Sequence, residues 1–343
     1  MKNKLPLLIC FGTRPEWLKV KPLIDIMDEK EYRLLFTGQH EDLLNDISVN
    51  YKIPIAQSLR CGRLDNVIAS CISEFPPYKF SGVLVQGDTA SAFGCALAAY
   101  HRGIPIYYME AGLRSYDLEN PYPEEGYRQM IARLADVNFA PTQLSADNLI
   151  AERVKGIVHI VGNTVLDNLI KYEKGIYGDT ILVTMHRREN HHWLDEWFRE
   201  INALAIRYPN LKFVIPIHPN PNVQKWKHLL HNVDVIEPLT HDDTIKILRD
   251  CKLVITDSGG LQEEGPTLGV PVIVTRDKTE RPEGVASGAV LLVGTDFDKI
   301  VKSAMNILFD DQTHNEMSMA NNPYGDGTSA RQIIDLIQSY LAQ

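Results

Sequence analysis

No stretch of the chain approaches the roughly eighteen consecutive apolar residues that a membrane-crossing helix requires. The amino-terminal "MKNKLPLLICFGTRPE" holds only a short apolar run that ends in a charged turn, so no signal peptide is expected and the protein is expected in the cytoplasm. Cysteine is sparse: Cys10, Cys61, Cys71, Cys95 and Cys251 form no CxxC or His-paired metal spacing, and an odd, scattered set argues against a disulfide framework. A basic excess is missing too. With a formal net charge of -9, non-specific binding to nucleic acid is disfavoured, and any anionic ligand needs a local cluster of donors. No internal repeat, low-complexity tract or coiled coil interrupts the 343 residues, a length that suits two ordinary domains.

What is present is an alternation of apolar, β-branched runs with segments of helical period: "LPLLICF", "YRLLFT", "GVLVQ", "IPIYYM", "VNFA" and "GIVHIV", then "TILVT", "LKFVIPI", "VDVIEP", "KLVIT", "VPVIVT" and "AVLLV". Such alternation predicts βαβ units and parallel sheets, an α/β fold with two Rossmann-like domains. The segment "TVLDNLIKYEKGIYGD" (Thr164 to Asp179), which reads as a helix followed by a Gly-containing break, divides the chain into 1–168 and 169–328, with a last helix in 329–343 expected to return to the first domain. The active site is expected in the cleft between the domains, where strand carboxyl ends and helix amino ends converge.

Candidate chemistry falls in both halves of the chain. After the first strand, "FGTRPEWLK" offers Gly12 for a tight turn, Pro15 at a helix start, and the bases Arg14 and Lys19, either as an approach to phosphate or as a capped helix with surface charges. It is not a GxGxxG fingerprint, so no dinucleotide is indicated. "GDT" puts Asp88 at a strand's carboxyl end, as a catalytic acid or as a helix cap. One βα unit later Glu110 occupies the equivalent place, followed by the acid-rich "SYDLENPYPEEGYRQ". There Glu124 is a third candidate acid, Arg128 one turn on is expected to hold it, Glu125 is expected to be a helix-end charge, and Asp117 and Glu119 to be solvated. Clustered acids of this kind suit proton transfer; calcium binding is the rival use, disfavoured by the interleaved arginines.

In the second half, "MHRRENHH" places His186, Arg187 and Arg188 after a strand, and "IPIHPNPN" places His218 similarly, as site residues or solvated turns. "DSGGLQEE" is the most specific stretch: Asp257, Ser258, Gly259 and Gly260 form a small-residue turn at a helix amino end that suits a diphosphate, Glu264 suits ribose hydroxyls, and Arg281 in "TERPE" is expected to close over the anion.

"GTRPE", "GDT", "EAGLRS", "PYPEE" with Arg128, "HRREN", "DSGGLQEE" and "TERPE" stand in the order found in the non-hydrolysing UDP-N-acetylglucosamine 2-epimerases, and the chain resembles that family over about Gly12 to Gly288. The resemblance implies a glycosyltransferase-B type fold, a homodimer, and neither metal nor nicotinamide cofactor. It implies inversion at C2 of UDP-GlcNAc to UDP-ManNAc, by elimination of UDP to a 2-acetamidoglucal and re-addition, in supply of surface polysaccharide. Asp88, Glu110 and Glu124 match the proton-transfer acids and His186 the histidine at the UDP end. Arg14, Lys19, Arg128, Ser258, Gly259, Gly260, Glu264 and Arg281 match positions that bind substrate. Gln39, Arg187 and His218 are the candidates for a second, activating UDP-GlcNAc site, although Glu41 and Asp42 put acids where basic or amide side chains are expected. Gln86 is seen in relatives acting on other UDP-2-acetamido sugars, whereas "EAGLR" and the long loop look like the UDP-GlcNAc enzymes. Another UDP-2-acetamido sugar as substrate, a glycosyltransferase of the same fold, and an idle sugar-nucleotide sensor are the alternatives.

Overall fold

The computed structural model describes residues 5–40, 47–55, 63–169, 172, 178–187 and 190–342. They form two compact units, Met1–Asn168 with Tyr324–Gln343, and Leu169–Pro323. The expected helix of the dividing segment is, in its described part, a short 3-10 turn at Thr164–Asn168. Glu41, Asp42 and Arg188 lie outside the described residues.

The first unit holds a parallel sheet of β1 (Leu7–Phe11), β2 (Tyr32–Phe36), β3 (Tyr51–Lys52), β4 (Gly82–Gln86), β5 (Ile106–Met109), β6 (Val137–Ala140) and β7 (Ile157–Ile160), in the order β3-β2-β1-β4-β5-β6-β7. The second holds β8 (Thr180–Thr184), β9 (Lys212–Pro216), β10 (Asp234–Ile236), β11 (Cys251–Thr256), β12 (Val272–Val274) and β13 (Val290–Leu292), in the order β10-β9-β8-β11-β12-β13. All the apolar runs named above are strands; β3, a two-residue edge strand, carries too little apolar sequence to be seen. β1 and β4 are buried along their whole length because helices cover both faces of the sheet.

In each sheet the strand order reverses once, between β1 and β4 and between β8 and β11. Loops diverge to opposite faces at such a point and leave space at the strand carboxyl ends. The loops after β1 and β4 carry Arg14 and Asp88; those after β8 and β11 carry His186 and Ser258.

The terminal helix Ser329–Leu341 packs its Ala330, Ile333, Ile334 and Ile337 against Leu7, Ile9, Phe139 and Val161 of the first unit. Its start is fixed by Asp167, whose carboxylate accepts from the amides of Ser329 (3.2 Å) and Ala330 (2.6 Å), two of the four a helix leaves unpaired. In the second unit the helix Leu194–Arg207 buries Leu194, Trp197, Phe198, Ile201 and Leu204 on one face, each contributing about 1.5–3 kcal/mol. Among the described residues no helix is long and apolar enough to cross a membrane.

Candidate active site

The turn after β1 admits only glycine at position 12, since a Cβ there would lie 2.0 Å from Thr37 Oγ1 and 2.1 Å from Ser91 Oγ. Thr13 then caps the helix Arg14–Ile24 while Glu16 reaches back, accepting from the amides of Gly12 (3.0 Å) and Thr13 (2.8 Å). Its other oxygen accepts from Thr89 Oγ1 at 2.6 Å, so one carboxylate ties together the loops after β1 and β4. Glu16 is buried, and burial pushes its pKa up to about 7 against the lowering effect of those hydrogen bonds. Its role was not anticipated, although Thr-x-x-Glu in "TRPE" is the sequence mark of a capping box. Arg14 is exposed at the helix start.

Thr89, rather than Asp88, caps the helix Ala90–His101 by accepting from Ala92 N at 3.0 Å. Asp88 instead forms an ion pair with Arg128. Glu110 follows β5 with φ of 61°, a left-handed conformation that costs a residue other than glycine about 1–3 kcal/mol and that clusters at functional sites. The conformation delivers its carboxylate to Lys19, with which it is ion-paired, to the Gln86 amide, and to Asn163 Nδ2 at 3.3 Å. Beside it lies a cavity of about 10 Å³ lined by Gln86, Glu110, Asn163, Thr164 and apolar side chains, room for about one water.

The loop "SYDLENPYPEE" contains two cis peptide bonds, before Pro121 and before Pro123. Here the structure corrects three expectations. Glu125 is no mere helix-end charge: its buried carboxylate accepts from the amides of Ser115 (3.0 Å) and Tyr116 (3.2 Å), from Gln129 Nε2 (2.8 Å) and from Arg128 Nη1 (3.2 Å). Arg128 accordingly links Asp88 to Glu125, where pairing with Glu124 was expected. The reason is geometric. Glu125 is the member of the pair on the buried face of the helix Glu124–Leu134, and Glu124 stands half-exposed at its first position. Asp117, expected to be solvated, is half-buried and accepts from Glu119 N at 3.1 Å, while Glu119 is exposed. Gln39 is engaged within this unit, accepting from Ser91 N (3.1 Å) and Oγ (2.8 Å).

In the second unit Asp257, fully buried after β11, organises the loop after β8: its Oδ2 accepts from the amides of His186 (2.9 Å) and Arg187 (2.8 Å) and from Asn190 Nδ2 (3.1 Å). His186 Nδ1 lies 3.4 Å from the other oxygen, and the His186 and His218 rings stack at 5.2 Å between centroids, 6° from parallel. Burial lowers the pKa of His186, Asp257 draws it back up, and Arg187 and His191 lower it further. Burial, then His186, lower that of His218. Sequence reasoning treated Asp257 only as part of a small-residue turn; its signal is an acid at the tip of the strand next to the one that bears the histidine.

The Ser258-Gly259-Gly260 turn is braced from behind. Gln262 donates to Ser258 O at 3.3 Å and accepts from Thr279 Oγ1 at 2.7 Å. Arg281 is buried, its Nε donating to Glu263 at 2.5 Å and its Nη1 to Glu280 at 2.6 Å. A Cβ on Gly259 would come within 2.8 Å of that Nη1. Arg281, expected to close over an anion, is here paired with two carboxylates, which neutralise a guanidinium that is out of water. Glu264, nearly buried, lies 3.3 Å from His241 Nε2, a neighbour the sequence did not suggest.

The first unit thus groups Asp88 and Glu110 at adjacent strand ends, each paired with a base; the second groups a buried-acid histidine with a glycine turn. The first set suits proton transfer, and the second can receive an anion.

A family model described as UDP-N-acetylglucosamine 2-epimerase matches residues 25–338. The UDP-N-acetylglucosamine 2-epimerase of Campylobacter jejuni is 39% identical over 381 residues, covering 96% of this chain and 97% of that protein. The crystal structure of UDP-GlcNAc 2-epimerase from Neisseria meningitidis bound to UDP-GlcNAc superposes with a TM-score of 0.89 at 35% identity, over 98% of this chain and 100% of that one. The Methanocaldococcus jannaschii UDP-GlcNAc 2-epimerase in complex with UDP-GlcNAc and UDP gives a TM-score of 0.80 at 28% identity, over 98% and 99%.

Proposed function

We infer the reaction from family and geometry together: the chain belongs to the UDP-N-acetylglucosamine 2-epimerase family, and its reaction is the reversible interconversion of UDP-GlcNAc and UDP-ManNAc at C2. The observation that carries this reading is the pair of carboxylates, Asp88 and Glu110, at adjacent strand ends, each ion-paired with a base from a neighbouring helix. A C2 hydrogen is a poor acid. Its removal requires a carboxylate held at a fixed point, together with stabilisation of the charge that collects on the departing diphosphate.

In the mechanism we propose, an acid of the set Asp88, Glu110 and Glu124 removes the C2 proton as the C1–O bond breaks, leaving 2-acetamidoglucal and UDP. Re-addition of UDP, with proton delivery to the opposite face by another member of the set, gives the epimer. Lys19 and Arg128 hold Glu110 and Asp88 in place. His186 and the Ser258-Gly259-Gly260 turn receive the diphosphate, Glu264 the ribose, and Arg14 adds charge at an exposed helix start. The homodimer and the supply of ManNAc for a surface polysaccharide belong to the same proposal, on the family resemblance alone.

Incubation with UDP-GlcNAc in deuterium oxide tests the reading. The expected products are UDP-ManNAc and both sugars labelled at C2; absence of both epimer and label would falsify it.

A further inference from the structure

Asp257 is a buried carboxylate only half used. Oδ2 accepts from two backbone amides and the Asn190 side chain, whereas Oδ1, sealed from water, has no hydrogen-bond partner among the described residues. A buried anionic oxygen without a donor is costly, and such an atom in a native site asks for one. The nearest ring nitrogen is His186 Nδ1, 3.4 Å away, within a small rotation of a formed bond.

We propose that Asp257 is the positioning residue for His186: its Oδ1 accepts a hydrogen bond from Nδ1–H, so that Nε2 is the nitrogen presented to the diphosphate. The inference rests on the reading of His186 as the residue at the UDP end, and deepens it. Three constraints leave the ring one orientation. The His186 and Arg187 amides on Oδ2 fix the loop, the stacked His218 ring restricts tilting, and Oδ1 fixes the edge that carries the proton. Which nitrogen of a histidine is protonated is set by the hydrogen bond the other one makes.

In the unliganded chain the ring is neutral near pH 7, since burial together with Arg187 and His191 outweighs Asp257, and His218 facing it is held neutral as well. A diphosphate arriving at Nε2 adds negative charge on the far edge of the ring. The imidazole then takes a proton from solvent and lies between two anions, Asp257 and the diphosphate. As the C1–O bond breaks, its electron pair passes to the diphosphate oxygen and the imidazolium stabilises it by hydrogen bonding; on re-addition the same pair returns to C1 and nothing is consumed.

The test uses the whole protein labelled with ¹⁵N-histidine, the His186 signals being assigned by their loss in His186→Asn. Neutral His186 in the wild type is expected to be the Nδ1–H tautomer. Dominance of the Nε2–H tautomer, the form histidine usually prefers in water, overturns the proposal without reference to activity. Asp257→Asn places an amide N–H or a neutral oxygen opposite Nδ1 and is expected to shift the tautomer toward Nε2–H, displace the acid limb of the pH–kcat profile, and lower kcat about a hundredfold with KM changed less than about threefold. In a His186→Asn background the same substitution is expected to cost less than about threefold more, because its effect passes through the ring. Equal losses in both backgrounds assign Asp257 to folding of the loop alone and sink the idea. A wild-type protein that leaves C2 unexchanged refutes the proposed function instead, while the tautomer still decides this one.

Discussion

Lys19, on the helix after β1, is ion-paired with Glu110, the residue that follows β5 with a left-handed backbone. The two are far apart in sequence and follow strands, β1 and β5, that β4 separates in the sheet. The pair holds a carboxylate that the backbone has been bent to present. Glu110→Gln keeps the shape but removes the charge and the basicity. It is expected to lower deuterium incorporation at C2 by about 10²- to 10⁴-fold, with UDP affinity, measured by calorimetry, nearly unchanged. Comparable losses in binding and turnover would remove Glu110 from the chemistry.

Arg128 ties Asp88 to the buried Glu125, and Glu125 in turn holds the amides of Ser115 and Tyr116. Arg128→Met leaves Glu125 charged and buried without its cation. The expected cost is roughly 3–5 kcal/mol of unfolding free energy in urea titrations, most of it at Glu125 because Asp88 is partly solvated. A loss below about 1 kcal/mol would show that the loop does not depend on this anchor.

Glu16 makes stability depend on pH. Its folded pKa is raised from 4.5 to about 7, so between these values the native state holds a proton that the unfolded chain has released. Stability from this group is therefore complete below about pH 4.5, falls as pH rises toward 7, and is level above; the fall is roughly 3 kcal/mol. Unfolding curves of wild type and Glu16→Gln across that range are expected to differ in slope, with the wild type losing more. Parallel curves would contradict the assignment.

His186, its pKa lowered below the usual histidine value by burial, is neutral in the free protein near pH 7. UDP binding is expected to draw in a fraction of a proton, visible as a binding enthalpy that varies with the ionisation enthalpy of the buffer. The difference should shrink in His186→Asn, which controls for titration of UDP itself. No change between the two proteins would place the diphosphate away from this ring.

Gly259→Ala drives a Cβ to 2.8 Å from Arg281 Nη1, an atom that Glu280 holds in place and that cannot simply swing aside. UDP affinity is expected to fall at least tenfold while the thermal midpoint drops only a few degrees, in line with the roughly 1–3 kcal/mol of local overpacking. Unaltered UDP binding would mean that the turn does not receive the diphosphate.

Much of this was legible from local patterns. The apolar runs became strands because buried parallel strands need no alternation, and Gly12 and Pro15 act within a single turn. The acids Asp88 and Glu110 were legible because a residue after a strand run must stand at that strand's carboxyl end. Their partners were not. Arg128 is one helical turn from Glu124, yet it turns to Asp88 and Glu125, since helical phase puts Glu125 and Arg128 on the buried face.

Arg281 makes the same point in the second unit: as text it is a base near a phosphate turn, and in the fold it is neutralised by Glu263 and Glu280 beneath that turn. The sequence by itself determined the two parallel sheets, the order of the motifs and the family, because hydrophobic period and short turns are local properties of a chain. Only the tertiary structure decided which charge answers which, that Glu16 joins two loops, and that Asp257 stands beside His186. Those pairings depend on strand order and on burial, which set distances between residues far apart in the text and raise the strength of every charge they enclose.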